Sequence, residues 1–568
     1  MLQKYKGLIA SPGIATGPAK IYSKADLVIK KKKLENGIEE EIEKLKSAFE
    51  TYRIRLENTK ADNEAQASVT QAHVELLCDP YFIESASTLV REEVANASWA
   101  LQKTVDQMAA MMESLDDPYL RERGADYRDI GQNLLYILEG VDGGDLSQLK
   151  EDCIIISSEL TPSDTSTMDR EHVLGFANDL GGKTSHVAII AQTLDIPALV
   201  GMKTITQEIK DGDDLILDAD RGLLLINPDD QTKECYKIRI RKREEEKARL
   251  EEVKDRAAVT GDGKEIEVVC NVGNLEDLED GLNRGADGVG LFRTEFLYMG
   301  NDHFPSEEEQ FQVYKAAASR LGQSPLLIRT LDIGGDKSLS YFDFPKENNP
   351  FLGWRALRIS FDLPDVFQDQ VRAILRASAF GNVKLFLPMV VSVEEILEAQ
   401  DRIASIKKDL RQEGIPFNEA MEVGIMIETP ASVLIAEELA NYCDFFSIGT
   451  NDLTQYILAA DRGNEKVANI YNSYHPAVLR AIKKVIDAAH RSGKWCGMCG
   501  GFASDPQATY MLIGMGLDEF SVVGSKVAKI KDLILRSKLD SAQDFANKIL
   551  ATDRLNEVEK LIEENPFR

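Results

Sequence analysis

The chain is predicted to be a multidomain α/β protein: an α/β domain with a helical bundle inserted into it, followed by a C-terminal (β/α)8 barrel. Three observations carry this reading. Eight short apolar runs, most of them separated by helical patterns, fill the stretch from about residue 260 to the end. Between about Lys31 and Leu138 turn breakers are few, and apolar residues recur at three- and four-residue spacing. A charge-dense segment, Lys237–Asp255, lies between the two halves and is too polar to form a core.

In chain order, residues 1–22 hold short extended segments with turn chemistry at Ser11-Pro12-Gly13. Helical stretches such as Ile38–Thr59 and Ala97–Leu115 then build the bundle. Beyond Gly140 β-type runs return at Cys153–Ser157, Val173–Ala177, Asp214–Leu217 and Leu223–Ile226. The simplest topology joins 1–22 with 145–230 as one α/β domain and inserts 23–144 as a helical subdomain. Residues 231–257 form a helical linker, with a narrow apolar line (Ile238, Ile240, Leu250, Val253) and i,i+4 pairs Glu245/Arg249 and Glu252/Arg256 that suit a solvated helix.

Residues 258–568 form the barrel, with β-runs at Ile266–Cys270, Gly288–Phe292, Leu326–Arg329, Val383–Leu387, Val423–Ile427, Asp444–Ile448, Lys494–Met498 and Glu519–Val522. An open doubly wound sheet is the alternative; no Gly-rich dinucleotide fingerprint follows the first run, which favours the barrel.

Bulk properties narrow the function. The 568 residues are 43% hydrophobic and 29% charged, as in ordinary globular proteins. With 67 basic against 95 acidic residues the net charge is −28, so nucleic acid and anionic membranes are repelled, while a basic protein partner is favoured. The N-terminus lacks a signal-peptide core, no apolar run is long enough to cross a bilayer, and a cytoplasmic location is expected. Seven scattered cysteines do not suggest a disulfide framework. Cys496 and Cys499 form a C-x-x-C, but neither a second pair nor a His at zinc-site spacing accompanies it.

Two places carry chemistry. Gly181-Gly182-Lys183-Thr184-Ser185-His186 puts an imidazole behind a glycine pair and two hydroxyl residues, ahead of the apolar run Val187-Ala188-Ile189-Ile190-Ala191. Free backbone N–H groups and a helix N-terminus there suit an anion, and a histidine beside them can attack phosphorus. Standing alone, the string also reads as an ordinary helix N-cap at Thr184 or Ser185. The second place is the C-terminal rim of the barrel, where sites of this fold are built. Arg293, Arg329 and Arg462, the carboxylates Glu428 and Asp452, the amide of Asn451 and the thiol of Cys499 all follow strand ends. Arginine forks suit a small phosphate-and-carboxylate substrate. Carboxylates without His or Cys ligands suit Mg²⁺. A thiol, ordinarily protonated at neutral pH, can donate a proton.

The ordered set of strings resembles enzyme I of the bacterial phosphoenolpyruvate:sugar phosphotransferase system. It comprises Ser11-Pro12-Gly13-Ile14-Ala15, the Gly181–His186 string, Asp195-Ile196-Pro197-Ala198, Gly290–Leu297, Arg329–Lys337, Asn349–Arg355, Gly449–Tyr456 and Gly497–Gly500. The resemblance implies a swivelling phosphohistidine domain and a reaction in which phosphoenolpyruvate phosphorylates His186 and releases pyruvate. The phosphoryl group then passes to a histidine of the carrier protein HPr. It further implies Glu428 and Asp452 as Mg²⁺ ligands, and Arg293, Arg329 and Arg462 as phosphoenolpyruvate contacts with Asn451 and Asp452 beside them and Arg355 assisting. Cys499 becomes the acid for the pyruvate enolate and Thr165 a hydroxyl partner of His186. The helical insertion becomes the HPr-docking subdomain, and the barrel a homodimer contact.

The sequence departs from the family pattern at Gln192 (usually Arg) and Gly501 (commonly Glu), and also at Lys183 and Val187. Gln192 and Gly501 motivate a second reading, a weakly active phosphoenolpyruvate-responsive regulatory paralogue; the intact histidine, carboxylates and arginines oppose it. A pyruvate,phosphate dikinase or phosphoenolpyruvate synthase relative is a third reading, disfavoured because the chain opens directly in the histidine domain.

Overall fold

Strands that bury both faces need apolar residues on both, and the second half of the chain supplies eight of them. They are β9 (Glu267–Val272), β10 (Val289–Phe292), β11 (Pro325–Arg329), β12 (Asn382–Leu387), β13 (Val423–Ile427), β14 (Phe445–Ile448), β15 (Trp495–Met498) and β16 (Glu519–Val522). All pair in parallel in sequence order, and β16 returns to β9 to close the barrel. Side chains alternate across the barrel wall. Phe446, Ile448, Phe520 and Val522 face outward into the helix-covered core. Leu291, Leu327, Phe386, Met426, Phe445 and Cys499 pack together inside it, and Trp495 stacks on Phe445 at 4.4 Å. The predicted barrel is what forms, each predicted run falling on one strand.

The computed structural model describes residues 3–567 apart from 24–26, 35–36, 59–63, 115–117, 142–145, 147–148, 150, 162–163, 165–167, 169–171, 183–187, 189–190, 193–195, 336, 338, 465 and 566. It contains two compact units, Met1–Glu244 and Glu245–Arg568. In the first, eight strands form one sheet: β1 (Gln3–Lys6), β2 (Leu8–Ser11), β3 (Ile14–Tyr22), β4 (Cys153–Ser157), β5 (Val173–Asn178), β6 (Ala198–Val200), β7 (Asp214–Asp218) and β8 (Leu223–Ile226). Their order is β1-β8-β7-β3-β4-β5-β6-β2. The centre, β3 to β6, is parallel and buried on both faces, as the continuous apolar run Cys153–Ser157 requires.

Between β3 and β4 the chain leaves the sheet to build five helices: α1 (Ile38–Asn58), α2 (Glu64–Cys78), α3 (Pro80–Glu93), α4 (Ala97–Glu113) and α5 (Pro118–Glu139). Phe82 fixes their packing, meeting Phe49 and Tyr127 edge-on at 5.1 and 5.3 Å. Asp79 caps α3 through the N–H of Tyr81, and Pro80 fills the first helical position, where no donor is needed.

A long helix, α6 (Asp230–Val253), follows β8. Its early residues bind the N-terminal sheet: Tyr236 donates to Asp218 at 2.8 Å, and Arg239 pairs with the same carboxylate at 2.6 Å. In the second unit Arg249 pairs with Asp532 at 3.0 Å. Arg249 meets this buried carboxylate through two parallel hydrogen bonds, at 3.0 and 3.2 Å. No helix among the described residues is long and apolar enough to cross a membrane.

Helix Pro506–Met515 lies so close to Leu539–Leu550 that a Cβ at Gly514 would come within 1.9 Å of the Ala542 carbonyl. Because the obstacle is backbone, Gly514→Ala is expected to cost on the order of 1–3 kcal/mol and to lower the thermal transition of the barrel by roughly 1.5–4.5 °C. Differential scanning calorimetry checks this; an unchanged transition would mean that the helix contact relaxes freely.

Candidate active site

The C-terminal rim of the barrel encloses a cavity of about 340 Å³. Its lining includes Arg293, Arg329, Arg355, Glu428, Asn451, Asp452, Arg462 and Cys499, so the strand-end residues singled out in the sequence converge on one space. They arrive from five of the βα-connections. Arg293 follows β10, Arg329 ends β11, Glu428 follows β13, Asn451 and Asp452 open the helix Thr450–Leu458 after β14, and Cys499 follows β15.

Buried charge dominates the geometry. Arg329 is 6% exposed. Its guanidinium donates to Glu295 at 2.8 Å and pairs with Asp332 at 2.9 Å. Arg355 pairs with the other Asp332 oxygen at 2.9 Å and reaches Asp452 at 3.4 Å. Lys337 donates to Glu295 at 2.7 Å. Burial alone would raise the Asp332 carboxyl, but Arg329, Arg355 and Lys337 outweigh it and hold the group well below the usual carboxylate range. Glu295 is lowered in the same way by Arg329 and Lys337. Sequence reading did not assign Glu295, Asp332 or Lys337. Their signal lay in the strings Arg293-Thr294-Glu295 and Arg329–Lys337, where a carboxylate or ammonium follows each arginine within a few residues.

Glu428 behaves oppositely. Burial, then Asp452 and Asp332, push its carboxyl up to about 8 against Arg355 and Arg329. One oxygen accepts the N–H of Met389 at 2.7 Å. Met389 reaches it in the left-handed region at φ 58°, unusual for a residue with a long side chain and a mark of backbone held by its surroundings. Two carboxylates in so little water repel each other until a cation or a proton intervenes.

Cys499 is buried among the inner side chains of the barrel. Burial pushes its thiol up to about 11, while Ser447 and Arg329 pull it down. The loop behind it is tight. Gly501 donates its N–H to Asn451 Oδ1 at 3.0 Å, and a Cβ on Gly500 would meet Thr450 Oγ1 at 1.8 Å. Gly501 therefore leaves the loop anchored through its backbone, without the side chain that commonly occupies that position in the family.

In the first unit, His186, Thr165, Lys183, Thr184, Ser185 and Val187 lie outside the described residues. Gly181 adopts φ 103°, and Asp179 accepts the Thr206 hydroxyl and the N–H of Ile205. Gln192 donates its amide to the Ala10 carbonyl at 2.7 Å, which ties it to β2.

The chain matches three family models: "PEP-utilising enzyme, N-terminal" over residues 6–123, "PEP-utilising enzyme, mobile domain" over 149–222 and "PEP-utilising enzyme, PEP-binding domain" over 247–539. It is 43% identical over 570 residues to a phosphoenolpyruvate-protein phosphotransferase of Haemophilus influenzae, with 98% of each chain covered. It is 42% identical over 564 residues to that of Buchnera aphidicola subsp. Baizongia pistaciae, again with 98% of each covered. It is 40% identical over 567 residues to that of Staphylococcus aureus, with 99% of each covered.

A thiol held up to about 11 stays protonated through neutral pH and loses its proton only as pH rises toward that value. Iodoacetamide at pH 7.5 should therefore label the exposed Cys78 and Cys235 and leave Cys499 intact, with Cys499 labelling rising as pH approaches 11. Peptide mass spectrometry reads the order; Cys499 labelling at neutral pH as fast as Cys78 contradicts it.

Proposed function

The chain belongs to the phosphoenolpyruvate-protein phosphotransferase family, enzyme I, and from that premise we propose that the barrel cavity binds phosphoenolpyruvate and passes its phosphoryl group to His186. From His186 the group goes to a histidine of the carrier protein HPr, the first step of the sugar phosphotransferase system. The observation that carries the site assignment is the convergence of Arg293, Arg329 and Arg462 with Glu428, Asp452 and a protonated thiol on one cavity.

The arginines meet the substrate phosphate and carboxylate. Arg329 is already clamped by Glu295 and Asp332, so its charge needs no reorientation as the transfer proceeds. Glu428 and Asp452 fit a divalent cation: both are oxygen donors, and the upward push on Glu428 records a negative charge that a cation would offset. Mg²⁺ bound there would polarise the substrate oxygens and spread the charge of the transferring group. His186 attacks phosphorus as the P–O bond to the enol breaks, and the electron pair of that bond passes to the enol oxygen. The enolate becomes pyruvate when its methylene carbon takes the proton of the Cys499 thiol, leaving a thiolate.

One histidine cannot lie beside barrel-bound phosphoenolpyruvate and beside HPr at once, so the unit carrying His186 has to travel between them. We assign HPr docking to the helical subdomain, where the acidic chain suits a basic partner, and homodimer contact to the barrel. All seven cysteines are free, which suits the reducing cytoplasm.

Incubation with phosphoenolpyruvate and Mg²⁺ should place one acid-labile phosphate on His186 and release pyruvate; HPr should then discharge it. His186→Ala should abolish transfer. Arg329→Lys, which loses the two-pronged clamp, should lower kcat/KM on the order of 10²-fold, and chelation by EDTA should stop the reaction. Transfer to HPr by His186→Ala would sink the proposal.

A further inference from the structure

The barrel interior holds an acid that the reaction above does not use. Glu519 opens β16, and because Phe520 and Val522 face outward, it points inward. It is 1% exposed, and neither of its carboxylate oxygens has a hydrogen-bond partner among the described residues. A buried carboxyl without partners is costly and calls for a use.

Its neighbours supply one. Ser447, Gly497 and Glu519 are register partners in a single row across β14, β15 and β16. A Cβ on Gly497 would lie 2.6 Å from Glu519 Oε1, so the carboxyl occupies the space that a side chain would fill. Across the glycine, the Ser447 hydroxyl is also buried and meets no nitrogen or oxygen partner among the described residues, leaving the Cys499 thiol as the polar group it acts on. The two residues stand two strand spacings apart, about 10 Å between backbones, and the Glu519 carboxyl leans over Gly497 toward Ser447, so that one bridging water can join them. Ser447 neighbours the Cys499 thiol and acts on its acidity, and Cys499 stands two residues beyond Gly497 on the same inner face. In the other direction, Glu267 is the register partner of Glu519 on β9 and is exposed at the N-terminal mouth of the barrel.

We propose that Glu519 and Ser447 form a proton relay that recharges Cys499 after each turnover, with Glu267 admitting the proton from solvent at the opposite mouth of the barrel. The proposal rests on Cys499 being the acid for the enolate. Each turnover leaves Cys499 as thiolate. Ser447 gives its hydroxyl proton to that sulfur and takes the carboxyl proton of Glu519. The resulting carboxylate is reprotonated through Glu267. One solvent proton thus ends in the methyl group of pyruvate, and every relay group returns to its starting state.

The acidities run the right way. Burial, with Glu267 and Asp518 beside it, pushes Glu519 up to about 8 against the opposing charge of Lys384. Lys384, on β12, pairs with Glu422 at 2.5 Å and sits 4.8 Å over the Trp495 ring, so its charge is shared. Proton transfer from this carboxyl to a thiolate whose acid lies at about 11 is downhill. Because the Glu519 pKa is raised, its proton is present below about 8 and lost as pH rises through that value.

Rapid-quench kinetics of the full chain with phosphoenolpyruvate, Mg²⁺ and HPr separates the relay from the underlying reaction. Absence of phosphate on His186 in the wild type would defeat the reading on which the relay rests. Given that reaction, Glu519→Gln should keep the first phosphorylation of His186 within about twofold, since Cys499 starts protonated, while steady-state kcat falls at least about tenfold at unchanged KM. Wild-type kcat, but not the first turnover, should decline above pH 8, and this decline should vanish in Glu519→Gln. Ser447→Ala should reproduce the split and Ser447→Thr, which restores a hydroxyl, should reverse it; this pair carries the test if Glu519→Gln does not fold. Equal loss in first and later turnovers for Ser447→Ala, or loss in neither, overturns the relay.

Discussion

Everything at the barrel rim depends on the pairing of buried charge. Two charges taken out of water each cost several kcal/mol, and only close, well-directed partners recover that. Asp332 serves Arg329 and Arg355 at 2.9 Å each, and Glu295 serves Arg329 and Lys337. Removing one member would strand the others, so the network fixes the side chains that face the cavity. Arg329 is therefore aimed before any substrate arrives, a precondition for electrostatic stabilisation in phosphoryl transfer. The balance is incomplete at Glu428, where burial with Asp452 and Asp332 outweighs Arg355 and Arg329 and pushes the carboxyl up.

The closed barrel turns this network into a site. Parallel strands deliver each residue to the same rim, while alternation along each strand decides whether a side chain faces the helices or the interior. The same alternation sends Glu519, Ser447 and Cys499 inward, three polar groups amid Leu327, Phe386 and Phe445. Polar groups in such a place survive only if hydrogen-bonded or used. The N-terminal unit poses a different problem, since its reactive histidine must serve two partners in turn.

Much of this was legible in the sequence, for physical reasons. The eight barrel strands show as apolar runs because both their faces are buried. The rule that sites form at strand ends then picked out Arg293, Arg329, Glu428, Asn451, Asp452 and Cys499, all of which line one cavity. What sequence could not show was pairing. Asp332 is an ordinary aspartate until folding sets it between two arginines. Arg249 pairs with Asp532, which is 283 positions away. Backbone geometry was equally hidden: nothing in the identity of Met389 announces a left-handed conformation that aims its N–H at Glu428. The two departures from the family pattern take on concrete local roles, Gln192 as a tie to Ala10 and Gly501 as a backbone donor to Asn451.

If the charge network aims Arg329 at the transferring phosphoryl group, removing the charge of Asp332 should blunt the chemistry while leaving a hydrogen-bonding side chain in place. The most direct measurement is the single-turnover rate of His186 phosphorylation by phosphoenolpyruvate and Mg²⁺ in Asp332→Asn, taken where circular dichroism shows the barrel folded. The expected result is a fall of about 10²-fold, comparable to losing an oriented donor. Phosphorylation at the wild-type rate would contradict it, because Arg329 would then reach its working position without the carboxylate that holds it.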